Sequence, residues 1–249
     1  MLDEEAGTDP ELVKLLYLAH CSREKVCLDT VPISIHFFYH QIFRVWRKKR
    51  FDWFIRNISP TGSEVLLDVG GHPWFWTSHP VCVKRIDCLN ISLTDWNAKT
   101  TEHNIHTFVG DGCSLQIPDK TYDIGFSNSV IEHVGSWERQ KRFAAEISRA
   151  AKALWVQTPA YGCPIEPHYL TPFVHYLPRW LQKKILRRGT LWGWLEAPSR
   201  QQIDAAVDST RLIRRSEMQQ LFPDCKILTE RFFWTFPKSY VAVRRRCSN

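Results

Sequence analysis

The stretch Glu64-Val65-Leu66-Leu67-Asp68-Val69-Gly70-Gly71, EVLLDVGG, sets the reading of the whole chain. After Glu64, four of the five residues before the glycines are aliphatic, broken only by Asp68, which reads as a buried strand running into a tight glycine turn. The same rhythm then repeats. VKRIDCLNI (83–91), NIHTFVG (104–110) and YDIGFSNS (122–129) read as further strands, the last preceded by the turn Pro118-Asp119-Lys120. Ser136 is placed to cap a helix reaching about Lys152, with Trp137, Phe143, Ala144, Ile147 and Ala151 on its inner face. ALWVQTP (153–159) follows as a fifth strand ended by Pro159. Strands separated by short crossovers predict a parallel sheet with helices on both faces. Near the end, KILTERFFWTF and KSYVAVRRR flank Pro237-Lys238 and predict an antiparallel hairpin.

Upstream of the sheet the chain reads as helical. PELVKLLYLAH (10–20) has short-helix spacing, and Ile35, Phe38, Ile42, Val45, Trp46, Trp53 and Phe54 recur at helical steps over about 34–57. Ser59-Pro60-Thr61-Gly62 punctuates the chain. The expected organisation is therefore an N-terminal helical extension, 1–60, and a main domain, 61–249, with an insertion at about 160–200.

Composition narrows the class. Apolar residues make up 44% and charged residues 24% of the 249, a balance that excludes a disordered chain or fibrous repeat. No apolar run approaches the roughly 18 residues of a membrane span. The start, MLDEEAGTDPE, lacks the apolar core of a secretory signal. The eight cysteines are scattered without a CxxC pair, so neither a zinc site nor any other metal is expected. Cys82, Cys88 and Cys113 fall in or beside strands, where a free thiol behaves as a small hydrophobe. Reduced thiols and a cytoplasmic address are the economical expectation. The net charge of +7 allows attraction to phosphate or anionic lipid.

Four motifs fall at successive strand ends: VLLDVGG (65–71), CLNIS (88–92), VGDG (109–112) and IPDKTYDIGFSNSVIEHV (117–134). With them the chain resembles the class I S-adenosylmethionine-dependent methyltransferases of the type 11-like kind, over about 64–160. The resemblance implies a Rossmann-like, doubly wound α/β fold, with a mostly parallel seven-stranded sheet and an antiparallel last strand. It also implies S-adenosylmethionine as cofactor and S-adenosylhomocysteine as product. Open parallel sheets bind ligands beyond the carboxyl ends of their strands. On that pattern Gly70 and Gly71 would let backbone approach the methionine carboxylate, with Asp68 supporting the turn or facing the ammonium group. Position 90 would meet the ribose. Asp111 would accept from the adenine amine beside Gly112, and Ser127 and Asn128 would line the methionine side.

Two departures stand out. The family's turn usually reads D-x-G-x-G-x-G, whereas His72 and Trp74 hold the second and third glycine positions here. Asn90 stands where the family usually carries the ribose carboxylate, and an amide lacks the charge-assisted, two-acceptor grip. A catalytically degenerate relative acting as a binding or scaffold protein therefore stays open as an alternative.

The insertion after strand five, QTPAYGCPIEPHYLTPFVHYLPRWLQKKILRRGTLWGWLEAP, is where this family often builds its substrate pocket. A hydroxyl acceptor must lose a proton, and His or carboxylate groups serve that purpose. His168 is the first candidate for the base, with Glu166 and His133 as further candidates and His175, Tyr161 and Tyr169 nearby in sequence. The expected reaction moves a methyl group to an oxygen, or as second choice a nitrogen, of a small-molecule, glycan-type or lipid-linked acceptor. Residues 37–56 and 173–195 both mix bulky aromatics with dense Lys and Arg. Such helices either pack their apolar stripes on the sheet or lie on an anionic membrane surface, which would make the protein peripheral to a membrane. Nucleic acid is not expected as a partner, because Ser127-Asn128-Ser129-Val130 replaces the (D/N)PP(Y/F) tetrapeptide of the amino-methylating nucleic-acid enzymes.

Overall fold

The computed structural model describes residues 35–92, 104–166, 168–169, 171–232 and 235–245. The short helix expected at 10–20 lies outside them. Helix α1 (Ile35–Ile58) precedes strand β1 (Val65–Val69), the short helix α2 (Pro73–Ser78), β2 (Arg85–Asn90), β3 (Ile105–Val109) and β4 (Tyr122–Asn128). A 3-10 turn at Ile131–His133 leads to α3 (Trp137–Ala150) and β5 (Ala151–Pro159). The insertion carries β6 (Ile165–Glu166), β7 (Thr171–Pro172), α4 (Arg179–Gly189), α5 (Leu191–Glu196) and α6 (Arg200–Ser209). The chain closes with α7 (Arg215–Leu221), β8 (Lys226–Phe232) and β9 (Phe236–Arg244).

The seven main strands form one sheet in the order β3-β2-β1-β4-β5-β9-β8. Strands β1 to β5 pair in parallel, and β9 runs antiparallel to both β5 and β8. This is the expected doubly wound α/β architecture with an antiparallel last strand. The order reverses between β1 and β4, so the crossovers to β2 and β4 leave on opposite faces. That divergence opens a crevice at the carboxyl ends.

Period-two alternation sorts the β1 side chains onto two apolar layers. Leu67 and Val69 face a core shared with Phe143, Ile147 and Met218 of α3 and α7. Leu66 faces the opposite core, built on Phe54 of α1 and on Trp76, Phe126 and Trp155. The described part of α1 is thus a packing element of the sheet. Phe54 is wholly buried, with its ring 5.1 Å from Phe126, 5.7 Å from Trp155 and 6.3 Å from Trp76, all edge to face. Such aromatic arrangements add to the area they bury.

The insertion builds its own small core from Tyr169, Val174, Leu186, Ile203, Ala206 and Val207. Of the strand-flanking cysteines, Cys88 and Cys113 are buried as expected. Cys82 is exposed, because the chain enters β2 only at Arg85. Among the described residues no helix is long and apolar enough to cross a membrane.

Replacing Phe54 with alanine leaves a cavity beneath the aromatic rings of Trp76, Phe126 and Trp155. We expect a loss of about 3–5 kcal/mol in stability by chemical denaturation; a loss below about 1 kcal/mol would show that α1 is not anchored there.

Candidate active site

The glycine turn is built from β1 outward. Gly70 has φ +78°, a left-handed conformation that favours glycine, and its N–H donates to the Leu89 carbonyl at 2.7 Å. A Cβ there would fall 2.6 Å from Val130, which the turn after β4 carries across. At Gly71 an added Cβ would overlap the Asp68 carboxylate itself. Asp68 is buried, and its Oδ2 accepts from Trp76 Nε1 at 2.7 Å. Its Oδ1 has no hydrogen-bond partner among the described residues. Burial pushes this carboxyl up to about 7, against the opposing pull of the Trp76 bond.

The two residues that crowd the glycine pattern are accommodated outside the turn. His72 is the N-cap of α2, its Nδ1 accepting from the Trp74 N–H at 3.1 Å. Trp74 is 37% exposed, with the Arg47 guanidinium over its ring at 5.5 Å. The partner that closes on Asp68 is Trp76, which the sequence reading did not single out.

The other expected cofactor residues stand at neighbouring strand ends. Asn90, ending β2, donates from Nδ2 to the Gly71 carbonyl at 2.6 Å and so ties two strand ends together. Asp111, following β3, accepts the Cys113 N–H at 2.8 Å and pairs with Arg139 at 3.2 Å. Beside it Gly112 packs beneath Val69 and Phe143. Ser127, wholly buried, donates to the Val69 carbonyl at 3.0 Å. Asn128 accepts from Arg50 of α1 at 3.1 Å, and the same guanidinium reaches Gln157 Oε1 at 3.1 Å and Glu230 at 3.4 Å. Arg50 was legible only as one of several basic residues on α1. Eight positions separated by up to 60 residues thus gather along the ends of β1 to β4.

A second group assembles beside them, on the turn after β4 and on the insertion. Ser129, at φ +58°, bends the chain out of β4, and the 3-10 turn then presents Glu132 and His133. Opposite, the strand pair β6–β7 brings in Glu166 and His168. Glu166 is buried; its Oε1 lies 2.5 Å from His168 Nδ1, and its Oε2 accepts the Tyr169 N–H at 2.8 Å. His168 Nε2 lies 3.1 Å from His133 Nε2. Glu132, wholly buried, accepts from Thr158 through Oε2 at 2.9 Å. The three expected catalytic residues therefore meet, and Glu132 joins them. His175 is turned elsewhere, 3.0 Å from the Tyr161 carbonyl.

The electrostatics of this group are coupled. Burial drives Glu132 up to about 7, although the neighbouring His168 and the Thr158 bond favour its charged form. Burial alone would lower His168; Glu166 and Glu132 together outweigh it and leave the imidazole above its ordinary range. With Nδ1–H directed at Glu166, neutral His168 offers Nε2 as a lone pair, the atom a proton or an acceptor group would meet.

Residues 71–153 match the family model described as "Methyltransferase domain". Among solved structures, the chain is similar to magnesium protoporphyrin IX methyltransferase from Synechocystis, solved with SAH bound, at 10% identity, covering 94% of this chain and 93% of that one with a TM-score of 0.52. It is also similar to a Rhodobacter sphaeroides protein described as a zinc-dependent alcohol dehydrogenase, at 11% identity, covering 80% and 90% with a TM-score of 0.53. At such identities the likeness is one of fold. No curated protein matches the sequence.

The raised Asp68 carboxyl makes stability depend on pH with a defined sign. The folded chain holds this proton more tightly than the unfolded chain, whose carboxyl titrates near the ordinary value of about 4. The contribution is complete below that pH and is lost as pH rises toward about 7. Asp68→Asn keeps an acceptor for Trp76 and removes the titration. Melting temperatures at pH 5 and pH 8 should therefore favour the variant more at pH 8. An equal difference at both would show that Asp68 is not a buried, protonated acid.

Proposed function

We propose that this chain, whose residues 71–153 match the methyltransferase-domain family model, is a class I S-adenosylmethionine-dependent methyltransferase that methylates an oxygen of its acceptor, prepared at the Glu132–His133–Glu166–His168 group. Bound S-adenosylmethionine would supply an electrophilic methyl group on a sulfonium. The turn fits such a ligand in its chemistry: Gly70 and Gly71 bring backbone close, and the unpartnered buried Oδ1 of Asp68 is an acceptor suited to an ammonium group. Asn90 would face the ribose, Asp111 with Gly112 the adenine, and Ser127 and Asn128 the methionine arm. Asn90 and Asp111 already hold protein partners, so each would share or exchange a bond on cofactor binding.

The observation that carries the oxygen assignment is the meeting of Glu166, His168 and His133 next to the β4 end. A hydroxyl is a poor nucleophile until its proton leaves, and an ordered His–carboxylate pair is the usual means of removing it. Glu166 fixes the tautomer and orientation of His168, and His168 Nε2 is the atom through which the acceptor is activated. An amine acceptor would need less such help, which makes nitrogen the second choice.

Calorimetry with S-adenosylhomocysteine tests the cofactor half. Asp111→Ala should weaken binding by at least about 1 kcal/mol through loss of an acceptor; no binding to the unaltered chain at millimolar ligand would leave only a degenerate, scaffold-like protein. His168→Ala should lower turnover on an acceptor at least ~100-fold while cofactor affinity stays unchanged. Full activity would return His168 to loop architecture.

A membrane-linked acceptor is favoured by one specific observation. Around α4 the aromatics Phe173, Trp180 and Trp194 are 59, 61 and 75% exposed, beside the exposed Lys184, Arg187 and Arg188. Rings at headgroup depth with cations on anionic lipid match that surface. Flotation with phosphatidylserine-containing vesicles should carry the chain at low salt and less at high salt, and Trp180→Ala with Trp194→Ala should reduce it. Absence of flotation at low salt would remove the membrane from this reading.

A further inference from the structure

The four acid and histidine side chains beside β4 contain more than a proton-transfer pair requires. His133 Nε2 and His168 Nε2 approach to 3.1 Å, and Glu132 Oε1 lies 4.0 Å from His133 Nε2. One donor atom from each of the three residues falls within 4.8 Å of the others. A tetrahedral cation bound at about 2.0–2.2 Å holds its ligand atoms roughly 3.3–3.6 Å apart, so only small side-chain shifts separate this set from a coordination shell.

What lies behind the three atoms is also that of a metal site. His168 gives its other ring nitrogen to the buried Glu166 at 2.5 Å, the carboxylate–histidine arrangement that orients metal-bound imidazoles. The second oxygen of Glu132 is held by Thr158 at 2.9 Å, which aims the first. Glu132 is 0% exposed, and Oε1 has no hydrogen-bond partner among the described residues. A His–His hydrogen bond would satisfy the two imidazoles. It would leave that buried carboxylate oxygen unsatisfied, at a cost a protein rarely tolerates without purpose.

We propose that Glu132 Oε1, His133 Nε2 and His168 Nε2 bind one divalent cation of the zinc class. The proposal rests on the reading of this group as the acceptor side of the site, and it specifies how His168 acts there: through the cation. Three protein ligands leave a fourth position open, the pattern of a catalytic site. Two neutral imidazoles and one carboxylate leave a charge of +1 on the bound divalent ion, which an acceptor oxygen giving up its proton would neutralise. In that step the acceptor O–H bond breaks, the electron pair stays on oxygen, and the proton passes to solvent water. Acceptors with a hydroxyl able to approach a cation, such as phenols, enols or sugar hydroxyls, are the class this selects. The scattered cysteines argued against metal from sequence, and none of them takes part. The ligands come instead from two segments joined only by the fold.

The test reads metal binding on the full chain, without cofactor or acceptor. After dialysis against a chelator, Co²⁺ should give intense visible d–d absorption of a four-coordinate ion at one equivalent, and Zn²⁺ should abolish it. His133→Ala combined with His168→Ala should remove the band. Glu166→Gln, which leaves every ligand in place, should weaken Zn²⁺ binding about 10–100-fold. Circular dichroism and melting without metal establish that each variant is folded; should the double alanine variant fail to fold, Glu132→Gln replaces it, and its affinity should fall as well. No cobalt band in the unaltered chain, or a band unchanged by these substitutions, overturns the proposal. A chain that binds S-adenosylhomocysteine and depends on His168 for turnover, yet takes up no cobalt, defeats the cation alone. One that takes up cobalt but not S-adenosylhomocysteine defeats the methyl-transfer reading instead.

Discussion

The burial of the Asp68 carboxylate against the glycine turn is the constraint on which the rest of the site depends. Its oxygen occupies the space that a side chain at position 71 would need, so the residue there must be glycine. Trp76 closes over the same carboxylate, which sets where α2 begins and why His72 can serve as its cap rather than fill the crevice. Asn90 then grips the Gly71 carbonyl, and Gly70 the Leu89 carbonyl. Two short hydrogen bonds, each modest alone, hold the ends of β1 and β2 at one distance, and the Trp76 bond fixes α2 against the first of them.

The acid–histidine group depends on a different constraint, the position of the insertion. Glu132 and His133 follow β4, whereas Glu166 and His168 belong to a strand pair that follows β5. Because β4 and β5 are parallel neighbours, their carboxyl ends lie side by side, and whatever leaves them meets above the sheet. The turn is locked from behind. Arg211 donates its backbone N–H to the Glu132 carbonyl, and Gln140 donates to the carbonyls of Ile131 and Arg211. Two buried acids and two partly exposed imidazoles are thereby held within about 4 Å of their neighbours in the group, where the acids and His168 change one another's proton affinity.

The two basic aromatic stretches show how alike compositions take different roles. In α1, Trp53 and Phe54 pack on Trp155, while Arg50 of the same helix turns inward to Asn128, Gln157 and Glu230. In α4, Leu186 alone is fully buried, and Trp180 remains outside with Lys184 against its ring. A long helix laid across a sheet can bury a broad stripe. A short one covering a small satellite core cannot.

Local chemistry was enough to read the fold. Runs of β-branched and aliphatic residues, a glycine pair after the first, the Ser136 cap and the Pro159 stop each act over a few residues, so β1 to β5, α3 and the final hairpin could be placed from sequence. Their ends differ: Ala151 and Lys152 belong to β5 rather than α3, and Pro237-Lys238 lie within β9 rather than in the turn. The positions at the strand ends were legible for the same reason, since a parallel sheet presents those ends together whatever the details. Tertiary structure alone decided the partners: Trp76 on Asp68, Arg50 on Asn128, and Glu132 completing a group with His133 and His168. These contacts join residues up to 78 positions apart or lying in segments with no shared periodicity. Side-chain distances of that kind are set by how layers pack, and packing leaves no local trace along the chain.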